Sequence, residues 1–217
     1  MKRFQIIDAE QRSEEWFTAR LGRVTGSVAD CVTAKPKTGN GEAITRADLR
    51  IQLATEVITG RPENDDDYLS RDMKRGILLE PDALIAYEAF TGETARKTGF
   101  LSMSTHMVGC SLDADVDEFR GIVEAKCPKS RIHLGYIKAK RVPPEYVKQI
   151  THNLWVTGAK WVDFVSYNNM VPEHLQVFVV RAYPNEFEIA AYEKELLKFL
   201  AEVNLTVKEL TDMRVAA

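Results

Sequence analysis

The six residues Gly121-Ile-Val-Glu-Ala-Lys126 constrain this chain more than any other stretch. They read as a short strand that begins at a glycine and stops at Cys127-Pro128, because proline cannot continue a ladder. Side chains alternate faces along a strand, so Glu124 and Lys126 point the same way, two residues apart. The rest of the run is apolar, as expected of a strand packed on a core. Upstream, Val108-Gly-Cys-Ser-Leu-Asp113-Ala-Asp brings a second acid to its approach. Two carboxylates and an ammonium at one spot suit a hard divalent cation, which takes oxygen ligands. The ammonium can stabilise transition-state charge or help activate a water. On spacing alone, a surface hairpin with solvated charges also fits.

The surrounding periodicity predicts helices on both sides of a strand-rich middle. Residues 13–20 read as a short helix capped by Ser13, with Trp16, Phe17 and Leu21 inward. Thr25 or Ser27 is expected to cap a second helix through about Val32. Residues 35–41 form a loop, and a helix over 45–59 ends at Gly60. The acidic stretch 62–67 is a linker or turn. A helix over 70–91 carries Leu78, Leu79, Leu84, Ile85, Ala89 and Phe90 at helical spacing. Strands follow at 96–102, 107–111 and 121–126, then helices at 130–140 and 143–158, the latter opening on Pro143-Pro144. Strands at 163–167 and 175–182 precede a long amphipathic helix over 184–210. This order implies an α/β sandwich.

With 217 residues, 45% of them hydrophobic, the chain suits a single domain over 1–217. It has no apolar run of about 18 residues, so no membrane span is expected. Its opening Met-Lys-Arg-Phe-Gln-Ile-Ile-Asp does not read as a secretory signal. Cys31, Cys110 and Cys127 lack paired spacing, which argues for a reducing cytoplasm and against a disulfide framework, zinc ribbon or iron–sulfur cluster. The net charge of −3 is segregated. Lys126, Lys129, Arg131, Lys138, Lys140, Arg141 and Lys148 face one acid, Glu145, across that segment, while acids gather at 63–67 and in the last helix. Such a chain can keep a basic surface for DNA, although a solvated helix face gives the same pattern.

Two further groups of residues stand out. Glu80 lies in the otherwise apolar Gly76-Ile-Leu-Leu-Glu80, where a carboxylate is costly unless paired or metal-bound; a helix-surface position is the plain alternative. Arg20, Ser27 and Ser111 combine a guanidinium and two hydroxyls suited to a phosphate, whereas an ion pair and an ordinary helix cap explain Arg20 and Ser27 equally. Trp16 and Trp155 read as packing residues rather than base-stacking platforms.

Four motifs in order carry a resemblance. They are Trp16-Phe-Thr-Ala-Arg20-Leu-Gly22-Arg-Val-Thr25-Gly-Ser27, Gly76-Ile-Leu-Leu-Glu80, Asp113 with Glu124-Ala-Lys126-Cys-Pro, and Tyr146-x-x-Gln149 with Leu154-Trp155-Val156-Thr157. Together they resemble the PD-(D/E)XK nuclease superfamily and, more narrowly, the lambda-type phage exonucleases, the YqaJ-like viral recombinases. The chain departs where that family has Pro-Asp-Gly, since Leu112-Asp113-Ala114 stands there. Ser111-x-Asp113 keeps the family's spacing and favours Asp113, with Asp115 still open.

The resemblance implies a restriction-endonuclease-like core, a central mixed sheet flanked by helices. It implies Mg²⁺, with Mn²⁺ able to substitute, held by Asp113 and Glu124 with Glu80 and the Ala125 carbonyl. Lys126 would be the catalytic lysine and Gln149 would position the water or the lysine. Arg20, Ser27 and Ser111 would hold a terminal 5′-phosphate. Met73, about two turns before Glu80 on a similar face of the predicted helix, would match the family's apolar wedge in the duplex, its neighbours Arg71, Lys74 and Arg75 being placed for the phosphates; a surface methionine at a fraying helix start is the plain alternative. The implied activity is 5′→3′ digestion of double-stranded DNA by a ring-shaped homotrimer, leaving 3′ overhangs for a single-strand annealing protein in phage recombination. The competing readings are a site-specific or non-processive endonuclease on the same core, and a catalytically silent DNA-binding assembly protein.

Overall fold

The computed structural model of the protein describes residues 3–36, 38–63 and 70–213. Two sheets organise it. Strands β1 (Phe4–Ile7), β2 (Phe100–Met103) and β3 (Gly109–Ser111) form an antiparallel sheet in that order. Strands β4 (Ala114–Val116), β5 (Gly121–Lys126), β6 (Trp161–Tyr167) and β7 (Val177–Ala182) form a mixed sheet, parallel between β5 and β6 and antiparallel elsewhere. A parallel pair needs a crossover, and helices α5 (Ser130–Ala139) and α6 (Pro144–Thr157) supply it.

Helices cover both faces of the mixed sheet, as the sequence predicts. Helix α4 (Arg71–Thr91) lays Ala83, Leu84 and Tyr87 against Val123, Ala125 and Val165. On the other face, Ile122, Val162 and Phe164 join Ile150 and Leu154 of α6 and Leu196 and Phe199 of α7 (Glu186–Asp212) in the larger core. Helix α3 (Ile44–Thr59) packs on α7 and ends at Gly60, which takes a left-handed φ of 64°. Alternation on β5 therefore sends Ile122, Glu124 and Lys126 towards α6, and Val123 and Ala125 towards α4. No described helix is long and apolar enough to cross a membrane. Cys31, Cys110 and Cys127 are free thiols.

Several expected elements differ. β1 and β4 were not expected, being only four and three residues long with polar side chains among them. The strand expected over 96–102 narrows to Phe100–Met103, because Arg96 is drawn into an isolated bridge with Asp115. Neither Thr25 nor Ser27 caps a helix by its side chain. A 3-10 turn, Gly26–Val28, leads into the short helix α2 (Ala29–Val32), and the Thr25 hydroxyl is instead engaged by Arg20 and Ser27. The apolar stripe on α4 is not all core: Leu78 is 76% exposed, Ile85 65% and Phe90 63%. This helix docks through Ala83 and Tyr87, whose hydroxyl donates to buried Asp163. Of the acidic stretch 62–67, residues 64–67 lie outside the described residues.

Candidate active site

Helix α1 (Glu14–Arg20) begins where the Ser13 hydroxyl accepts the Trp16 N–H. It is followed by a turn at Gly22, whose φ of 64° suits a residue without a side chain. A Cβ there would lie 2.5 Å from a Val57 methyl. The Gly22 N–H donates to buried Glu56 on α3, which fixes the turn. The chain then runs back beside β3, and Arg20, Ser111, Thr25 and Ser27 converge.

The Arg20 guanidinium lies 4.1 Å from the Trp16 ring centroid. It donates to Ser111 Oγ at 3.3 Å and to Thr25 Oγ1 at 3.3 Å. The Trp16 indole N–H donates to the same Ser111 oxygen at 3.0 Å. Ser111 thus accepts twice, which leaves its proton to give. Thr25 and Ser27 share a hydrogen bond of 3.2 Å, and Ser27 is exposed. Guanidinium and hydroxyl donors facing a pocket are the chemistry of an anion site.

A second cleft adjoins this pocket. Glu80, Asp113, Ala125 and Lys126 line it, and Met73 lies on the wall common to both. The pairing of β4 with β5 ends at Ala114–Val123. Beyond it the Ala125 N–H has no strand to meet and donates to Asp113 Oδ2 at 2.7 Å. A residue's N–H and C=O point to the same side of a strand. The Ala125 carbonyl therefore shares the Asp113 edge.

Glu124 faces α6, 2% exposed. Gln149 Nε2 donates to its Oε1 at 2.6 Å and Asn153 Nδ2 to its Oε2 at 3.0 Å, while the Lys126 ammonium pairs with Oε1. Lys126 also lies 5.3 Å from the Tyr146 ring. Burial raises the Asp113 carboxyl well above the usual range, and the Glu124 charge adds to this more than Lys126 removes. Burial alone would lower the Lys126 ammonium, but Glu124 and Asp113 outweigh it and hold the group protonated.

The donors at the cleft, two carboxylates and a carbonyl, are the hard oxygen set that Mg²⁺ prefers. Burial and unneutralised neighbours hold Asp113 at a charge cost that a cation would relieve. By donor type the residues fit a divalent ion. Among the described residues, no three acids, histidines or cysteines converge tightly enough to make a metal cluster as they stand. Glu80 is turned to Lys97 at 3.1 Å, and Glu124 is held by Lys126, Gln149 and Asn153.

The structure separates the two aspartates. Asp113 lies at the cleft, whereas Asp115 is fully buried and takes Arg96 through both oxygens, at 3.0 and 3.1 Å. Met73 is 51% exposed at the start of α4, where its N–H donates to the Ser70 cap. Arg75 donates to the Pro128 carbonyl at 2.8 Å and ties α4 to the end of β5. Trp155 is core, and Trp16 supports Ser111 and Arg20. In the basic segment Lys129 pairs with Asp72, and Arg131, Lys138, Lys140, Arg141 and Lys148 are exposed.

Three contributors escape sequence reasoning: Asn153, Lys97 and the Trp16 indole. Asn153 had a usable signal, since it lies one turn after Gln149 on the same helix face. Lys97 had none.

The YqaJ-like viral recombinase domain matches residues 15–160. The crystal structure of LHK-Exo, an alkaline exonuclease from Laribacter hongkongensis, is 34% identical. The match covers 94% of this chain and 99% of that one, with a TM-score of 0.83. LHK-Exo in complex with dAMP gives a TM-score of 0.84 at the same identity. A phage-related exonuclease from Haemophilus somnus 129PT shares the fold at 14% identity, with a TM-score of 0.63 over 87% of this chain and 96% of that one. No curated protein matches.

Proposed function

The chain belongs to the YqaJ-like viral recombinase family, and from that we propose that it is a metal-dependent 5′→3′ exonuclease of double-stranded DNA. The observation that carries this reading is the adjacency of two unlike sites. A pocket of hydroxyls and a guanidinium around Arg20 opens beside a cleft holding Asp113, Glu80 and Lys126. A terminal 5′-phosphate in the first would place the next phosphodiester at the second, so one nucleotide is removed at each step. This favours an exonuclease over a site-specific or non-processive endonuclease, which needs no end pocket. The intact acid–lysine set argues against a silent DNA-binding protein.

Asp113, Glu80, Glu124 and the Ala125 carbonyl would hold Mg²⁺, or Mn²⁺ in its place. Bound there, such an ion would supply charge neutralisation at the scissile phosphate. Lys126, kept protonated by Glu124 and Asp113, acts as a fixed cation on the charge that develops there. Gln149 and Asn153 orient Glu124 from behind. Arg20, Ser27 and Ser111 bind the end. The exposed lysines and arginines of α5 and α6 face the duplex. Arg75, engaged with Pro128, can give only its remaining donors to a phosphate.

The same membership supports a ring-shaped homotrimer, for which Leu78, Ile85 and Phe90 offer exposed apolar surface. It also supports a single-strand annealing partner in phage recombination, in the cytoplasm of a bacterial host.

Linear duplex carrying either a 5′-phosphate or a 5′-hydroxyl tests the reading. With Mg²⁺, phosphorylated ends should release mononucleotides at least about tenfold faster, an advantage lost in Arg20→Ala. Release from 3′ ends, or equal cutting of closed circular DNA, would overturn it.

Met73, exposed on the wall common to the two clefts, is the candidate wedge. Separating terminal pairs costs roughly 1.4 kcal/mol per step, which an inserted apolar side chain helps offset. Met73→Ala should slow digestion of blunt duplex and leave frayed ends unaffected. Equal rates on both substrates would remove Met73 from this role.

A further inference from the structure

The turn between β1 and α1 puts Arg12 where three clefts meet. The first surrounds Arg20 and Ser27, the second holds Asp113 and Lys126, and the third continues past Glu80 towards Lys97 and Gly99. Among the described residues, Arg12 alone lines all three. Its φ is 74°, a left-handed conformation that residues with a Cβ adopt uncommonly. The turn is braced on both sides: the Ser13 N–H donates to the Glu10 carbonyl at 3.0 Å, and the Gln11 amide donates to the Leu112 carbonyl at 3.4 Å, next to Asp113. Arg12 itself is exposed and makes no hydrogen bond or ion pair among the described residues. Acids lie within the same clefts, at Asp8, Glu10, Asp72 and Glu80, yet none pairs with it. A strained backbone that holds an unpaired cation at a junction of clefts is the kind of outlier from which function is inferred.

We propose that Arg12 binds the backbone phosphate that passes from the Asp113 cleft to the Arg20 pocket after each cut. This rests on the exonuclease reading above. Water attacks phosphorus and the P–O3′ bond breaks. The water's oxygen stays on phosphorus, and its proton ends on the departing 3′-hydroxyl of the released nucleotide. The phosphate remains as the 5′-phosphate of the next nucleotide. That new end must move from one cleft to the other, and Arg12 lies on the wall between them. A guanidinium's planar fork can keep one donor pair on the phosphate while the far site takes hold. Arg12 is thus a substrate-binding residue whose contribution falls on successive steps more than on the first.

Arg12→Gly tests this directly, because glycine relaxes the left-handed turn while deleting the cation. Arg12→Lys keeps the charge without the fork. Binding to 5′-phosphorylated duplex in chelator, over a salt series, requires no hydrolysis. Arg12→Gly should bind about tenfold more weakly, and its slope of log K against log salt should be shallower by about one. With Mg²⁺ and a competitor trap, its run length per binding event should fall severalfold, with Arg12→Lys intermediate. Wild-type salt slope and run length in Arg12→Gly would overturn the proposal. A wild type that releases no nucleotides from phosphorylated ends would overturn the exonuclease reading, and the salt slope would then judge Arg12 as a phosphate contact by itself.

Discussion

Asp113 and Asp115 are two residues apart and have opposite surroundings. Asp115 has every useful direction taken, by the Arg96 fork and by the Phe119 N–H at 3.2 Å. Asp113 has one backbone donor and an excess of nearby negative charge. Asp113→Asn should therefore cost about 10²–10³ in metal-dependent turnover with the thermal midpoint kept, because the amide oxygen can still accept from Ala125. Asp115→Asn should cost about 1–3 kcal/mol of stability and leave the folded protein active. Denaturation curves and nucleotide release on both variants decide it, and the reverse outcome would move the site by two residues. Spacing favours Asp113, but the distinction lies in tertiary partners that no local pattern records. Glu124 and Lys126 are legible because the strand period puts them on one face, whereas Gln149 is reached only through the family motif. Lys97 and Arg12 are not legible, because only the fold brings their turns to the cleft.

Among the elements, α6 and the 3-10 turn at Gly26–Val28 are coupled through the Glu124 network. A Cβ on Gly26 would lie 2.5 Å from Asn153 Oδ1 and 3.2 Å from Gln149 Cγ. These are the residues that hold Glu124. Asn153 cannot yield by flipping its amide, which would turn its oxygen on the carboxylate. Gly26→Ala should cost about 1–3 kcal/mol from overpacking and lower turnover by up to about 10²-fold through misplacement of Glu124. Paired measurements of stability and single-turnover rate check this, and unchanged turnover would uncouple the turn from the site. The same scale shows why some elements were readable. α3, α6, α7 and β5 announce themselves by period and by bounding Gly or Pro. β1 exists by pairing with a partner distant in sequence, β4 is a three-residue strand too short to show a period, and α4 docks through Ala83, Leu84 and Tyr87 while much of its apolar stripe stays in solvent.

At the scale of the whole molecule, α6, β3 and α7 meet at a buried histidine. His152 Nε2–H donates to the Gly109 carbonyl at 2.9 Å, so Nδ1 is bare and accepts from the Tyr192 hydroxyl at 2.7 Å. This arrangement requires the neutral ring. Burial pushes its pKa down to about 4, against the smaller opposing pull of the Gly109 carbonyl. His133 is shifted the same way, chiefly by burial. Below the ordinary histidine value of about 6.5 the unfolded chain takes up a proton that the folded protein refuses, so stability falls as pH drops. His152's contribution is fully present above about pH 6.5 and declines down to about pH 4; the span of about 2.5 units is worth about 3 kcal/mol at most. Asp113, whose carboxyl pKa is pushed up by burial, opposes this slope over the same range, so the readout is the difference in urea midpoint, at fixed ionic strength, between the wild type and a variant that cannot titrate at position 152. His152→Gln keeps a donor and an acceptor but cannot titrate. It should start less stable at pH 7 and lose stability less steeply by up to one proton's slope, about 1.4 kcal/mol per pH unit. A variant whose acid limb runs parallel to that of the wild type would place the acid sensitivity elsewhere, with His133 next in line.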